Sequence, residues 1–381
     1  MKFSVTSVVV RALVLTMLIL AISHVGQSQD SNWNQGRSKS SYGRKDYGNG
    51  KPPRNSPSPI PSSPPLTPPV VPPSAPTPTT PSGLQVGFYK GLCPNGLENI
   101  EEVLLIKVQE EFQKDTSILP ALLRMQFHDC FVHGCDASIL INGLSTEKTA
   151  GPNLSVRGYE VIDTLKDIAE AQCPGVVSCA DIIAIATKEV LRLGGGPNYP
   201  VQTGRRDGLV SRAQDVNLPS PFLTVSETIS AFGDKNFTPE EMVILLGCHT
   251  VGVSNCAFFQ DRLYEGTSRF DPLMDPDLRQ QLMPTCPKGT TSNNSTFLDQ
   301  NPQSSNIVDN SFFDQILEQR GILPIDQALA RDPKTTLFVQ QFAQSASLFN
   351  SKLASAMVKM QALDVLTGSQ GEIRKTCSSF N

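Results

Sequence analysis

Proline is concentrated in one stretch of this chain, and that concentration limits what its N-terminal part can form. Residues 51–82 contain 14 of the 30 prolines in the 381-residue sequence. Proline has no backbone N–H and a fixed φ, so this density excludes helix and sheet and favours an extended polyproline II conformation. A polar stretch rich in Gly, Ser and Asn precedes it. We therefore interpret residues 30–82 as a Pro-rich, disordered arm.

An apolar segment precedes the arm. Residues 12–22 form a largely apolar run of eleven, and Lys2 supplies positive charge before it. The run is too short to span a bilayer and suits the core of a secretory signal peptide, so residues 1–29 are assigned to one. A retained membrane anchor is the alternative. Removal of the signal would leave a secreted protein that is not bound to a membrane and is free to form disulfides.

Charge is distributed unevenly along the sequence. Residues 30–82 carry six basic and two acidic side chains, a net +4, and residues 1–29 carry +2. Because the whole chain carries −4, residues 83–381 carry −10. This balance gives no reason to expect nucleic-acid binding. The Ser-Pro and Pro-Pro runs of the arm resemble hydroxyproline-rich plant wall proteins. One hypothesis is therefore that the basic arm, hydroxylated and glycosylated, holds the protein on acidic cell-wall polysaccharide. A simple spacer is the alternative.

Residues 83–381 have the pattern of one helical domain. Apolar residues recur at helical spacing in 162–172, 178–193 and 346–363. Thr238-Pro239 followed by two glutamates predicts a helix start, and that helix is expected to end at His249. Few segments alternate with period two, so the predicted fold class is all-α, with very little β.

Arg124 and His128 lie four residues apart, which stacks them on one face of a helix. The nearby positive charge disfavours imidazolium, so His128 is expected to be neutral and able to accept a proton. Directly after it, Asp129, Asp136 and Ser138 offer the oxygen ligands that Ca²⁺ prefers. Zinc at the interleaved His and Cys residues 128–135 is an alternative that secretion disfavours.

Four segments of this domain, RMQFHDCFVHGCDASIL, SCADIIAIA, GRRDG and HTVG, closely resemble the class III plant secretory peroxidases. They occur in family order and spacing, from about Gly87 to Cys377. The resemblance implies a two-lobed α-helical fold with one haem b between the lobes. No CxxCH motif occurs, so covalent haem attachment is not indicated.

All nine cysteines lie in this domain, and eight of them could pair in 105 ways. The family resemblance implies one of these arrangements. Its four disulfides are Cys93–Cys173, Cys130–Cys135, Cys179–Cys377 and Cys256–Cys286. Cys248 is left over, where the family commonly has glycine. We interpret it as an inert buried thiol, and a redox-active thiol is the alternative.

The resemblance also implies roles for particular residues. His249 corresponds to the axial haem ligand, and Asp326 to the carboxylate that accepts its other ring proton. His128 corresponds to the distal base and Arg124 to the group that stabilises negative charge on the departing oxygen. Asn153 would orient His128. Pro219 would line the channel through which donors reach the haem edge.

Two calcium sites are implied as well. The distal site would use Asp129, Val132, Gly134, Asp136 and Ser138, with Glu147 beside them. The proximal site would use Thr250, Asp299, Ser304, Ile307 and Asp309. Residues 299–309 form a longer segment than the family pattern, and the usual threonine is missing; counting back from Asp309 puts Ser304 in its place.

The expected function is that of a secreted, monomeric haem peroxidase. It would use H₂O₂ to oxidise phenolic donors such as cell-wall phenolics in one-electron steps, with roles in H₂O₂ removal and oxidative stress. The sequons at Asn236, Asn293 and Asn294 favour a glycoprotein. The alternative is a wall-anchored structural protein with a weakly active peroxidase-like scaffold. Retention of the catalytic set favours the enzyme, since a scaffold needs none of it.

Overall fold

A computed structural model describes residues 83–289 and 293–381 of the chain. The expected signal peptide and the Pro-rich arm lie outside these described residues. Within them the chain forms eleven α-helices and four short strands. The helices are α1 (Ile100–Lys114), α2 (Ile118–Cys130), α3 (Tyr159–Gln172), α4 (Cys179–Leu193), α5 (Val225–Gly233), α6 (Pro239–Leu246), α7 (Pro276–Thr285), α8 (Ser311–Leu317), α9 (Pro324–Arg331), α10 (Thr336–Gln344) and α11 (Ala346–Met360).

The strands form two small antiparallel pairs. β1 (Gln85–Val86) pairs with β2 (Gln202–Thr203), and β3 (Val253–Asn255) pairs with β4 (Ser295–Phe297). The three segments with helical spacing fall on α3, α4 and α11, so the mainly α-helical fold expected from the sequence is confirmed. No helix in the two described ranges has the length and apolar content needed to cross a bilayer.

The helices pack as two groups, which correspond to the two lobes implied by the family resemblance. Helices α1–α4 pack on one another, and α5, α6 and α8–α11 form the second group. Phenylalanine rings connect the groups: Phe131, directly after α2, lies 5.0 Å from Phe232 on α5 and 5.7 Å from Phe237, between ring centroids. Burial of each such side chain contributes about 1.5–3 kcal/mol to folding.

Helix α6 begins where the sequence predicts. The Thr238 hydroxyl accepts a hydrogen bond from the Glu241 N–H, and the Glu241 carboxylate accepts one from the Thr238 N–H. The expected end at His249 is wrong, because α6 ends at Leu246 and a 3₁₀ turn, Gly247–Thr250, follows. Gly247 packs so closely that a Cβ there would lie 2.7 Å from the Phe313 ring.

Four disulfides are present, and they are the four that the resemblance implies: Cys93–Cys173, Cys130–Cys135, Cys179–Cys377 and Cys256–Cys286. The pairs separated by 80 and 198 residues restrict the unfolded chain most, because they close the longest loops. Cys248 is the free cysteine among the described residues.

Candidate active site

Helix α2 carries the first half of the site. Its spacing places Arg124 beside His128, and the Arg124 Nε donates a hydrogen bond to the His128 Nε2 at 3.1 Å. His128 is only 8 % exposed. Burial first, and then the charge of Arg124, lower the pKa of His128 to about 4, although its bond to Asn153 acts in the opposite direction. His128 is therefore a neutral imidazole near neutral pH.

Asn153 determines which nitrogen of His128 carries the proton. Its Oδ1 lies 2.6 Å from the His128 Nδ1, and its Nδ2 donates to the Glu147 carbonyl at 2.8 Å. Because the amide nitrogen faces a carbonyl, the amide oxygen must face the histidine and accept a hydrogen bond from the Nδ1–H. The Nε2 of His128 is then left with its lone pair available as a base.

The short segment around Asn153 also holds Arg124, which the sequence did not predict. Arg124 Nη1 donates to the Ser155 hydroxyl at 3.0 Å and to the Ser155 carbonyl at 3.2 Å. Its Nη2 donates to the Pro152 carbonyl at 2.9 Å. Residues 152–155 thus position both the base and its neighbouring cation. The only sequence signal was their adjacency to Asn153.

The second half of the site lies on the 3₁₀ turn after α6. The His249 Nδ1 lies 2.9 Å from the Oδ1 of Asp326, a buried residue in the first turn of α9, where the helix dipole stabilises a carboxylate. Burial lowers the pKa of His249, but the charge and hydrogen bond of Asp326 outweigh it and raise the pKa overall. With Nδ1 held by Asp326, the Nε2 of His249 is available as a ligand.

The two halves are close enough to interact. The charge of Arg124 contributes to lowering the pKa of His249, although the two lie on different helix groups. The His249 ring meets Phe312 edge to face, with 6.2 Å between centroids. These residues fit a haem group, because the Nε2 of His249 would hold it and the neutral His128 would serve as a base.

Pro219 lies in the half-buried loop before α5. Two residues later, the Pro221 carbonyl accepts a hydrogen bond from the Ile325 N–H at 3.2 Å. Ile325 precedes Asp326, so the Pro219 loop is fastened to the helix that fixes His249. The structure therefore brings this loop to the proximal half of the site.

The residues expected at the distal calcium site form a buried oxygen-rich cluster. Asp129 accepts hydrogen bonds from the N–H groups of Ala137 and Ile139, and Asp136 accepts one from the Ser138 N–H. The carboxylate oxygens of Glu147 and the Ser138 hydroxyl are buried without a hydrogen-bond partner. Unpartnered buried oxygens of this kind fit a hard cation, because a polar group left unsatisfied is costly.

Burial raises the pKa values in this cluster. The pKa of Asp129 is raised by burial and by the charges of Asp136 and Glu147, and that of Glu147 is raised to about 8, chiefly by burial. Two observations differ from a finished calcium site. The Val132 carbonyl accepts a hydrogen bond from Lys235 Nζ at 3.1 Å. In addition, no three His, Cys, Asp or Glu side chains of the described residues converge to hold a metal ion.

The residues expected at the proximal calcium site also lie together. The Thr250 hydroxyl lies 3.2 Å from the Ile307 carbonyl and 3.1 Å from the Asp309 Oδ1. The Ser304 hydroxyl donates to the Asp299 Oδ2 at 3.2 Å, and burial raises the pKa of Asp299. Ser304 therefore stands at this cluster, as counting back from Asp309 predicts.

Comparison with known proteins gives a consistent result. The family model described as "Peroxidase" matches residues 106–345. Peroxidase 28 of Arabidopsis thaliana is 50 % identical over 314 residues, which cover 80 % of this chain and 95 % of that protein. Peroxidase 57 of the same plant is 48 % identical over 300 residues, covering 78 % and 93 %. Peroxidase 5 of Vitis vinifera is 44 % identical over 306 residues, covering 78 % and 92 %.

The matched region contains Arg124, His128, Asn153, His249 and Asp326, so the similarity extends over both halves of the site. These relatives are matched over nearly their whole length, which excludes a shared fragment as the explanation. The chain belongs to the class III plant peroxidases and is a peroxidase.

Proposed function

We propose that this peroxidase binds one haem b and uses H₂O₂ to oxidise phenolic donors in one-electron steps. One observation carries the proposal: a buried, neutral His128 fixed by Asn153, near a His249 fixed by Asp326. A neutral imidazole that can act as a base and a second imidazole that can act as a ligand through Nε2 are the two that haem peroxidase chemistry needs. In the overall reaction, two phenols each lose an electron and a proton, and one H₂O₂ becomes two waters.

When bound, haem supplies the redox-active iron at which H₂O₂ is reduced. His249 would hold it through Nε2, and Asp326 would increase the electron donation of that imidazole by accepting its Nδ1 proton. His128 would take a proton from one oxygen of H₂O₂ and return it to the other as the O–O bond breaks. Arg124 would stabilise the negative charge that develops on the departing oxygen.

The bond between Arg124 and His128 bears on this sequence of steps. The Arg124 Nε–H occupies the lone pair of the His128 Nε2 at 3.1 Å, so H₂O₂ must displace that bond before His128 can accept a proton. The displaced guanidinium is then next to the oxygen whose charge it stabilises. Ser155 and Pro152 still hold its other two nitrogens, which limits how far Arg124 moves.

Two calcium ions are part of the proposal. The distal ion would be held by Asp129, Val132, Gly134, Asp136 and Ser138, with Glu147 beside them. The proximal ion would be held by Thr250, Asp299, Ser304, Ile307 and Asp309. The unpartnered oxygens of Glu147 and Ser138 support the distal ion. Lys235 would have to leave the Val132 carbonyl for that carbonyl to bind calcium.

We further propose a secreted monomer in the cell wall, with the arm as a contact to acidic polysaccharide. Asn236, Asn293 and Asn294 are exposed and suit glycosylation, whereas Asn153 is 1 % exposed and hydrogen-bonded on both sides. Deletion of residues 30–82 would test the arm through binding to polygalacturonate at low salt. Unchanged binding would contradict its role.

The proposed activity is tested by absorption spectroscopy of the purified holoenzyme. The haem absorption band should change when about one equivalent of H₂O₂ is added. Addition of a phenol should then restore the original band. His128→Gln should slow the reaction with H₂O₂ by about 10²-fold or more, the contribution typical of a general base. The matched control is His133→Gln, since His133 is half-exposed and bonds Asp215 instead. Equal effects of the two substitutions would contradict the assignment of His128.

A further inference from the structure

An exposed aromatic pair lies beside the proximal half of the site. Phe222 and Phe258 are 38 % and 41 % exposed, and their ring centroids lie 6.4 Å apart. Phe222 directly follows Pro221, whose carbonyl is bonded to the Ile325 N–H. Phe258 ends the short turn that begins at Cys256, a few residues after His249. The pair is thus anchored on both segments that lead to His249.

A single cation lies over one ring of this pair. The guanidinium carbon of Arg269 lies 4.3 Å from the centroid of the Phe222 ring. Arg269 is about half-exposed, and among the described residues its one charged neighbour is Asp261, with 3.7 Å between Nη1 and Oδ2. An exposed pair at this distance contributes little energy and leaves most of the guanidinium donors available.

We propose that Arg269 selects phenolic donors that carry a carboxylate, such as hydroxycinnamates, over the corresponding neutral alcohols. The proposal rests on the phenol oxidation proposed above. The donor ring would contact the exposed faces of Phe222 and Phe258, and its carboxylate would pair with the fork of Arg269. The contact with the Phe222 ring already restricts the guanidinium, so less of its freedom is lost when the carboxylate binds.

Charge complementarity supports this choice of ligand. Residues 83–381 carry a net charge of −10, so the domain as a whole repels an anionic donor. A cation next to exposed aromatic rings offsets that repulsion at one place on the surface. Asp261 opposes it, because a second anion within reach of Arg269 competes with the donor for the same charge.

The test compares a matched pair of donors, 4-hydroxy-3-methoxycinnamic acid and the corresponding alcohol, at pH 7, where the acid is ionised. The ratio of kcat/KM values, acid over alcohol, should fall about fivefold in Arg269→Gln and little in Arg269→Lys, the size typical of a charge-assisted contact near the surface. Asp261→Asn should raise the ratio about twofold, because it removes the competing charge.

The matched control is Lys352→Gln. Lys352 forms a similarly exposed ion pair, with Glu240 at 3.0 Å, between α11 and α6. Lys352→Gln removes the same positive charge from the domain as Arg269→Gln does. It should leave the acid-to-alcohol ratio of kcat/KM values unchanged. An unchanged ratio in Arg269→Gln, or equal changes in Arg269→Gln and Lys352→Gln, would overturn the proposal.

A second readout separates this inference from the proposed activity. Binding of the same acid to the holoenzyme is measured without H₂O₂, from the visible difference spectrum. The acid should bind about fivefold more weakly to Arg269→Gln than to the wild type. If the wild-type enzyme oxidises neither donor, phenol oxidation fails while the binding series still decides the role of Arg269. If both donors are oxidised and binding of the acid is unaffected by Arg269→Gln, only the selection by Arg269 fails.

Discussion

Replacing Asn153 by aspartate should move the pH dependence of the peroxide reaction. The Asn153 Oδ1 lies 2.6 Å from the His128 Nδ1 in a buried setting, so Asn153→Asp places a carboxylate against the imidazole. An opposite charge at such a distance raises a pKa by about 1–3 units. The pKa of His128, now about 4, would then lie near 6.

The sign follows from the role of His128 as a base, because only the neutral imidazole can accept a proton from H₂O₂. With a pKa of about 4, roughly nine-tenths of His128 is neutral at pH 5; with a pKa near 6, only about one-tenth is. The variant should therefore react about ninefold more slowly than the wild type at pH 5. At pH 7.5 the two rates should differ less than twofold from this cause.

The assay is stopped-flow absorption of the holoenzyme mixed with H₂O₂ across pH 3.5–8. The control is Asn142→Asp, which makes the same change at an exposed residue whose amide oxygen accepts a bond from Lys148. Asn142→Asp should leave the acid limb near pH 4. An acid limb in Asn153→Asp that stays in place or moves to lower pH would refute the assignment of His128 as the base that titrates there.

Three further predictions concern stability and reactivity. Gly247→Ala should lower the free energy of unfolding by about 1–3 kcal/mol, because its Cβ would meet the Phe313 ring at 2.7 Å. The control is Gly233→Ala, where the space around the Cβ is open. In the same thermal unfolding experiment the control should show no measurable loss of stability. Ser304→Ala should lower the Tm by a few degrees, about 0.5–1.5 kcal/mol, through loss of its bond to Asp299. Because that bond involves no metal ion, addition of a chelator should leave the difference unchanged. Burial raises the pKa of the Cys248 thiol to about 12. Iodoacetamide at pH 7 should therefore leave Cys248 unmodified in the folded protein and alkylate it in urea, as measured by mass spectrometry. Rapid alkylation of the folded protein would favour a reactive thiol.

Local pattern was sufficient for α3, α4, α11 and the start of α6, and for the stacking of Arg124 on His128, since these depend on residues close together in the sequence. It could not place Ser155 and Pro152 on Arg124, because that contact joins α2 to a turn about thirty residues later. The sequence prediction ends α6 three residues too late, at His249 instead of Leu246. The helix ends there where Gly247 packs against rings from α8 and α11, which no local pattern records.

The disulfides illustrate a different limit. Counting cysteines left 105 pairings open, and only the family resemblance selected the four that are present. The bond between Lys235 and the Val132 carbonyl had no sequence signal at all, because the two residues lie 103 positions apart. Resemblance supplied the expected ligands of the distal site, while the competing cation became visible only in three dimensions.

Glu147 connects the base to the oxygen-rich cluster through two different groups. Its backbone carbonyl accepts a hydrogen bond from the side-chain amide of Asn153, the residue that orients His128. Its carboxylate has no hydrogen-bond partner and lies near Ser138, Asp129 and Asp136. Substituting its side chain removes the carboxylate from the cluster but leaves the carbonyl in place. Glu147→Gln should therefore weaken calcium retention while changing the pKa of His128 little, provided that the turn Glu147–Thr149 keeps its conformation. A large shift of the acid limb in this variant would mean that the cluster acts on His128 by moving the backbone.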